Sequence, residues 1–150
     1  MNIIADTNIL LRYTVGDDAA QAKIAENLIQ TSQEIVIPTH VFCEYVWTLR
    51  SGYKQSAEVI ALAIQAIAGT ERVIVNDEEV QAGLQMMAVG GDFADGVNAY
   101  AGFRMAGSGA VFVSFDQKVV RSLNECGLSA LVPSAETAFP ARRSSRRTDR

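Results

Sequence analysis

The chain alternates between short apolar runs and longer segments whose apolar residues recur at helical spacing. The apolar runs are rich in β-branched residues and lack polar alternation, which is typical of strands covered on both faces. Four runs are clear, at residues 2–5, 34–37, 72–75 and 110–113. A shorter run at residues 130–132 predicts a fifth strand.

Helical patterns fill the intervals between these runs. They predict helices around residues 9–11, 17–31, 39–51, 56–68, 77–89, 92–105 and 116–125. Thr39 is predicted to cap the third helix and Gly52 to end it. The alternation of strand and helix predicts an α/β fold, a parallel sheet of four to five strands sandwiched by helices.

The length of 150 residues fits one domain. We place this domain at residues 1–132 and interpret residues 133–150, which shift toward Ser, Pro and Arg, as an appended tail. The formal net charge of −4 is unevenly distributed, because residues 140–150 hold five arginines and one aspartate. The rest of the chain has 8 basic and 16 acidic residues, and this excess of carboxylates requires an explanation.

Other features exclude whole classes of protein. Cys43 and Cys126 form no C-x-x-C pair, so neither a zinc knuckle nor a disulfide framework is indicated, and we expect a reducing cytoplasm. No signal-peptide pattern opens the sequence, and no apolar run has the roughly 18 residues that a membrane span requires. The single histidine, His40, excludes any mechanism that needs a pair of histidines.

Two aspartates occur where α/β proteins bind their ligands, just beyond the carboxyl ends of the strands. Asp6 directly follows the first strand, and Asp116 follows the fourth after only two residues. The structural alternative is that each caps the following helix, since aspartate is among the best capping residues.

Glu44 lies within VFCEYVW, in the middle of a predicted helix with apolar neighbours on both sides. We expect it to be buried, and buried acids need a partner or a metal ion. The structural alternative is an ion pair with His40 one turn earlier. Trp47 is predicted to be a core residue.

Asp92 and Asp95 occur together in GGDFADGVNAY, at the start of a predicted helix. A spacing of three puts both carboxylates on one face. Asp92 follows two glycines and is predicted to be the cap, and Asp95 is the better candidate for a site.

Together these acids would place three or four carboxylates at one end of one sheet. Such like charges cannot all stay ionised unless a cation neutralises them or their pKa values rise. Ligation by carboxylate oxygens alone suits Mg²⁺ or Mn²⁺. Such a metal activates water for phosphodiester hydrolysis without a histidine base.

Four short motifs resemble those of the PIN domain, in the same order over roughly residues 1–132. They are Asp6-Thr7-Asn8, Glu44 before an apolar-aromatic run and Arg50, Asp92-Phe93-Ala94-Asp95, and Ser114-Phe115-Asp116. More narrowly, DTNILLRYTVGDD and VFCEYVWTLRSGY are similar to the VapC ribonuclease toxins of type II toxin–antitoxin modules.

This resemblance implies a Mg²⁺- or Mn²⁺-dependent endoribonuclease with a PIN-like sheet. The metal-binding and catalytic acids would be Asp6, Glu44, Asp95 and Asp116, with Asp92 as an accessory residue. Thr7, Asn8 and Ser114 would orient those carboxylates. The resemblance also implies a homodimer, a tRNA or ribosomal RNA substrate and an antitoxin that inhibits through the acidic site.

Two other interpretations remain open. A receiver domain or an aspartate-nucleophile phosphatase also places an Asp after a strand, although the phosphatase pattern needs a second Asp where this chain has Asn8. An interaction module can retain such a fold without its chemistry.

The arginine-rich tail departs from the toxin pattern. Its arginines can supply the phosphate-binding charge that an acidic domain lacks. The alternative is a solvated extension with no role in RNA binding. The candidate RNA-binding residues are Arg142, Arg143, Arg146 and Arg147.

Overall fold

The computed structural model describes residues 1–107 and 109–137. Every predicted strand and helix is present there. The elements are β1 (Asn2–Ile4), α1 (Thr7–Val15), α2 (Ala19–Thr31), β2 (Glu34–Val36), α3 (Thr39–Ser51), α4 (Ala57–Ala68), β3 (Val73–Ile74), α5 (Asp77–Ala88), α6 (Phe93–Ala106), β4 (Phe112–Val113), α7 (Gln117–Glu125) and β5 (Ala130–Leu131).

All strand pairings are parallel, which confirms the predicted α/β fold. The strands form a three-stranded sheet of order β1-β2-β3 and a two-stranded sheet of β4 and β5. Ile35 of β2 lies between Ile3 and Val73 in the register of the larger sheet. The expectation of one sheet of four to five strands is corrected, because β4 and β5 are two residues long and their ladder joins only each other.

The main core lies where the larger sheet meets the helices. Phe42 and Tyr45 of α3 and Phe93 of α6 are fully buried. The rings of Phe42 and Phe93 lie 6.5 Å apart, centroid to centroid, in a tilted arrangement. This contact fixes α3 against α6, the two helices that carry three of the candidate acids.

Capping side chains begin the described helices, except at α3 and α6. Asp18, Ser56 and Asn76 accept backbone N–H bonds at the starts of α2, α4 and α5. The prediction that Thr39 caps α3 is wrong, because Thr39 is already the first helical residue. The capping position belongs to Pro38, which has no capping side chain.

Candidate active site

Asp6 and Asp116 hold equivalent positions after β1 and β4. Asp6 Oδ1 accepts the backbone N–H of Asn8, and Asp116 Oδ1 accepts those of Lys118 and Val119. Both aspartates therefore cap the helix that follows them. Their second oxygens, Oδ2, accept no hydrogen bond from the described residues, so capping leaves each carboxylate able to bind a ligand.

Glu44 is joined to the end of β1 by a hydrogen bond across the fold. The hydroxyl of Thr7, a buried residue at the start of α1, donates to Glu44 Oε2 over 2.7 Å. The expectation that Glu44 is buried is wrong, since α3 turns it to the solvent-exposed side. Its partner is Thr7 and not His40, which is also exposed.

Close packing of α6 against α5 positions Asp92 and Asp95. A Cβ atom added to Gly96 would lie 2.4 Å from the carbonyl oxygen of Ala82, so only glycine allows this approach. Asp92 occupies the capping position of α6 as predicted. Its side chain makes no capping hydrogen bond, which leaves that carboxylate available to the site.

Two groups in this region have pKa values raised by burial and by neighbouring acids. Partial burial raises the pKa of Asp95, and the negative charges of Asp92 and Asp116 raise it further. Burial also raises the pKa of the Cys43 thiol, with added contributions from Asp92, Glu79 and Glu44. The charge of Asp92 contributes to both of these pKa shifts.

We use the name acidic cluster for the five candidate acids Asp6, Glu44, Asp92, Asp95 and Asp116, whose action at one site is part of the function proposed below. None of the charges that shift the pKa of Asp95 is basic. The donor atoms are all carboxylate oxygens, the chemistry that suits Mg²⁺ and Mn²⁺. Within the described residues no three His, Cys, Asp or Glu side chains are already arranged to hold a metal ion. The fit to a hard divalent cation therefore rests on the chemistry of the carboxylate donors.

The remaining predicted residues lie close by in sequence but make other contacts. Ser114 Oγ accepts the backbone N–H of Asp116 and does not bond to its carboxylate. Asn8 donates its backbone N–H to Asp6, and its exposed side chain makes no hydrogen bond to these acids. Trp47 was expected in the core, yet 68% of its surface is exposed. Arg142, Arg143, Arg146 and Arg147 lie outside the described residues.

The sequence analysis did not consider the residues that follow β3 at the carboxyl edge of the larger sheet. An open cleft of about 610 Å³ lies at the carboxyl ends of β2 and β3, lined in part by Thr39, Asn76 and Glu79. The rule that located Asp6 and Asp116 also applies to Asn76 and the acids that follow it after β3. Glu79 was therefore detectable from the sequence.

No helix within the described parts of the chain is long and apolar enough to cross a membrane. Comparison with family models matches residues 3–121 to the PIN domain. No match was found among curated proteins, and none among solved structures. PIN domains are typically nucleases that bind RNA and use divalent metal ions. Since the match spans most of the sequence, the chain belongs to the PIN domain family.

Proposed function

We propose that the protein is a metal-dependent endoribonuclease that hydrolyses RNA phosphodiester bonds at the acidic cluster. The observation that carries the proposal is the match of residues 3–121 to the PIN domain, together with Asp6 and Asp116, which follow β1 and β4 and cap the next helices. Carboxylates in this arrangement repel one another, and a divalent cation relieves that repulsion. The cluster is thus chemically suited to Mg²⁺ or Mn²⁺.

In this proposal Asp6, Glu44, Asp95 and Asp116 hold the metal, and Asp92 adds negative charge beside them. When bound, the ion would lower the pKa of a water molecule and neutralise charge on the phosphoryl oxygens. Thr7 holds Glu44 in place by its hydrogen bond. The helix caps hold Asp6 and Asp116 through Oδ1, and Oδ2 accepts no hydrogen bond from the described residues.

The proposal also covers the kind of nuclease, its substrate and its partners. We propose a VapC-like toxin of a type II toxin–antitoxin system, acting in the cytoplasm as a homodimer on tRNA or ribosomal RNA. A cognate antitoxin protein would inhibit it at the acidic cluster. Support comes from the motifs of the first 53 residues, DTNILLRYTVGDD and VFCEYVWTLRSGY. The phosphotransfer interpretation lacks support, because Asn8 replaces the second aspartate that a phosphatase needs.

The test is cleavage of total tRNA and ribosomal RNA in Mg²⁺, Mn²⁺ or chelator. Asp6→Asn and Asp116→Asn should each abolish cleavage and leave the fold intact, because asparagine caps helices about as well as aspartate. Asp18→Asn is the matched control, since Asp18 caps α2 outside the cluster. It should retain full activity.

Full activity in Asp6→Asn or Asp116→Asn would overturn the assignment. Equal cleavage in chelator would overturn metal dependence. A protein that binds RNA equally well with and without metal and cleaves none of it would instead be a non-catalytic interaction module.

A further inference from the structure

The cleft at the carboxyl ends of β2 and β3 is lined by none of the acids of the acidic cluster. Because β1, β2 and β3 are parallel, the cleft lies at the same edge of the larger sheet as Asp6. Neighbouring strands are about 4.8 Å apart, so a ligand bound at the end of β1 can extend into the cleft. The lining combines an apolar wall with a polar side, formed by Val36, Pro38 and Ile74 and by Thr39, Asn76 and Glu79.

The start of α3 supplies hydrogen-bond donors to this cleft. Pro38 has no capping side chain, and the backbone N–H groups of Thr39 and His40 have no acceptor among the described residues. Thr39 is only 9% exposed, and its hydroxyl makes no hydrogen bond within the described part of the chain. No unpartnered side-chain oxygen of the described residues is sealed from solvent, so this hydroxyl opens to the cleft. A ligand that accepts its hydrogen bond would relieve the cost of burying an unpaired polar group.

Glu79 supplies a hydrogen-bond acceptor to the same cleft. Its half-buried side chain forms no hydrogen bond or salt bridge with the described residues. Its backbone N–H donates to Asn76 Oδ1 over 3.2 Å, which fixes both residues at the start of α5. The N-terminus of α3 alone would favour an anion, but the negative charge of Glu79 opposes a phosphate here. The lining therefore suits an uncharged group that carries both N–H donors and a carbonyl acceptor.

Guanine matches this lining better than the other RNA bases do. Its N1–H and N2 amino groups are adjacent donors that can pair with both oxygens of one carboxylate, and its O6 is an acceptor beside them. Adenine has an amino group in place of O6, which would meet the donors of α3. Uracil has a single N–H between two carbonyl groups, which a carboxylate repels. Cytosine offers one amino group and no second adjacent donor.

We propose that this cleft is a guanine-binding subsite that determines which base lies next to the bond to be cut. Glu79 accepts hydrogen bonds from N1–H and the N2 amino group. The Thr39 hydroxyl and the first N–H groups of α3 donate to O6, and the base packs against the apolar wall. The inference rests on the proposed nuclease function for its role in the reaction. Recognition of the base itself requires neither metal nor cleavage.

Binding of mononucleotides in chelator tests the subsite without any cleavage. In amide NMR spectra, guanosine monophosphate should shift the backbone signals of Thr39, His40 and Glu79. The adenosine, cytidine and uridine monophosphates should bind at least about tenfold more weakly. Inosine monophosphate lacks only the N2 amino group and should also bind roughly tenfold more weakly, because one hydrogen bond to the carboxylate is lost. Inorganic phosphate should leave these signals unchanged.

Substitutions separate the acceptor from the donors. Glu79→Gln should weaken binding of guanosine monophosphate by roughly 5- to 150-fold, because a carboxamide cannot accept both N–H groups. Thr39→Val should weaken it by roughly 2- to 12-fold, and Thr39→Ser should retain most of it. Glu78→Gln is the matched control, since Glu78 lies in the same turn of α5 and bonds to Arg104 outside the cleft. It should bind the nucleotide as the parent protein does.

Equal binding of all four mononucleotides, or unchanged binding in Glu79→Gln, would overturn the proposal. The same amide shifts with inorganic phosphate would make the cleft an anion site and overturn it as well. Guanine-specific binding without any metal-dependent cleavage would support the subsite and refute the nuclease function. Metal-dependent cleavage by a protein that does not bind guanosine monophosphate would refute the subsite alone.

Discussion

At the scale of single residues, the Thr7 hydroxyl is the one observed contact that ties the end of β1 to Glu44. Thr7→Val keeps the shape of the side chain and removes this hydrogen bond. We expect cleavage to fall by about 10- to 100-fold, the usual cost of losing a group that orients a metal ligand. Thr7→Ser keeps the hydroxyl and should restore most of the activity.

Thr14→Val controls for the general loss of a threonine hydroxyl. Thr14 shares a hydrogen bond with Tyr45 outside the cluster, so its removal should cost about 0.5–1.5 kcal/mol of stability. Cleavage rates measured under folding conditions should not change. Equal loss of activity in Thr7→Val and Thr14→Val would show that the Thr7 hydroxyl acts only through stability.

Asp95 gives a pH-dependent prediction. Its pKa is raised above the ordinary value of 3.8 by burial and by neighbouring acids, so the folded state binds a proton more tightly than the unfolded state. Ionised Asp95 therefore destabilises the fold, and this cost is absent below the ordinary pKa and complete above the raised one. Asp95→Asn should raise the melting temperature at pH 7 in the absence of divalent metal.

The difference in melting temperature between Asp95→Asn and the parent protein should shrink as the pH falls through the raised pKa of Asp95 toward 3.8. Calorimetric melting of both proteins between pH 7 and pH 4 measures the difference. A less stable Asp95→Asn protein, with a gap that does not vary with pH, would contradict the assigned cause.

The sequence was sufficient to locate some residues and not others, for a physical reason. Asp6 and Asp116 were predictable because strand ends are visible in an apolar pattern. The exposure of Glu44 and Trp47 could not be predicted, because it depends on which side of α3 packs against the other helices. Val41, Phe42, Tyr45, Val46 and Leu49 bury one side, and only the packing of other helices shows that the opposite side stays open.

At the scale of elements, the close approach of α5 and α6 determines where Asp92 and Asp95 lie. Gly96→Ala would force its Cβ against the Ala82 carbonyl, a backbone atom that cannot shift alone. We expect a loss of about 1–3 kcal/mol in the free energy of unfolding. Cleavage should fall as well, because α6 carries both acids.

Gly102→Ala is the matched control on the same helix. No atom lies within 4 Å of the position its Cβ would take, so the helix should gain about 0.5–1 kcal/mol. Urea unfolding of the two variants should give changes of opposite sign. Similar changes in both would show that α6 has room to adjust against α5.

The elements themselves were largely predictable, and their assembly was less so. Alternating strand and helix patterns identified all twelve described elements. The predicted boundaries lie within two residues of the observed ones, except at the C-terminal end of α1. The helix predicted around residues 9–11 is longer, at Thr7–Val15. The division of the strands into two sheets depends on very few hydrogen bonds at β4 and β5, which no pattern in one strand reveals.

At the scale of the whole molecule, the charge is divided between an acidic domain and a basic segment. RNA binding by Arg142, Arg143, Arg146 and Arg147, whose alternative is a solvated extension, predicts a defined salt dependence. Replacing Arg142, Arg143, Arg146 and Arg147 with Gln should reduce the slope of log affinity against log salt by up to about 3, at about 0.7 per phosphate contact on a single strand. The same four changed to Lys should keep the slope.

Binding of a 12-nucleotide single-stranded RNA at several salt concentrations measures this slope. A slope that is identical in the parent, the glutamine variant and the lysine variant would assign the segment no role in RNA binding. Either result leaves the proposal for the acidic cluster unchanged, because none of its residues is substituted in these variants.

The central claim is that the acids of four separate elements act together at one divalent-metal site. Titration with Mn²⁺, followed by the electron paramagnetic resonance signal of the unbound ion, tests it without any substrate. The protein should bind Mn²⁺, Asp116→Asn and Glu44→Gln should each weaken binding by at least about tenfold, and Asp18→Asn should not change it. Equal Mn²⁺ binding by all four proteins, or none by the parent, would contradict the account.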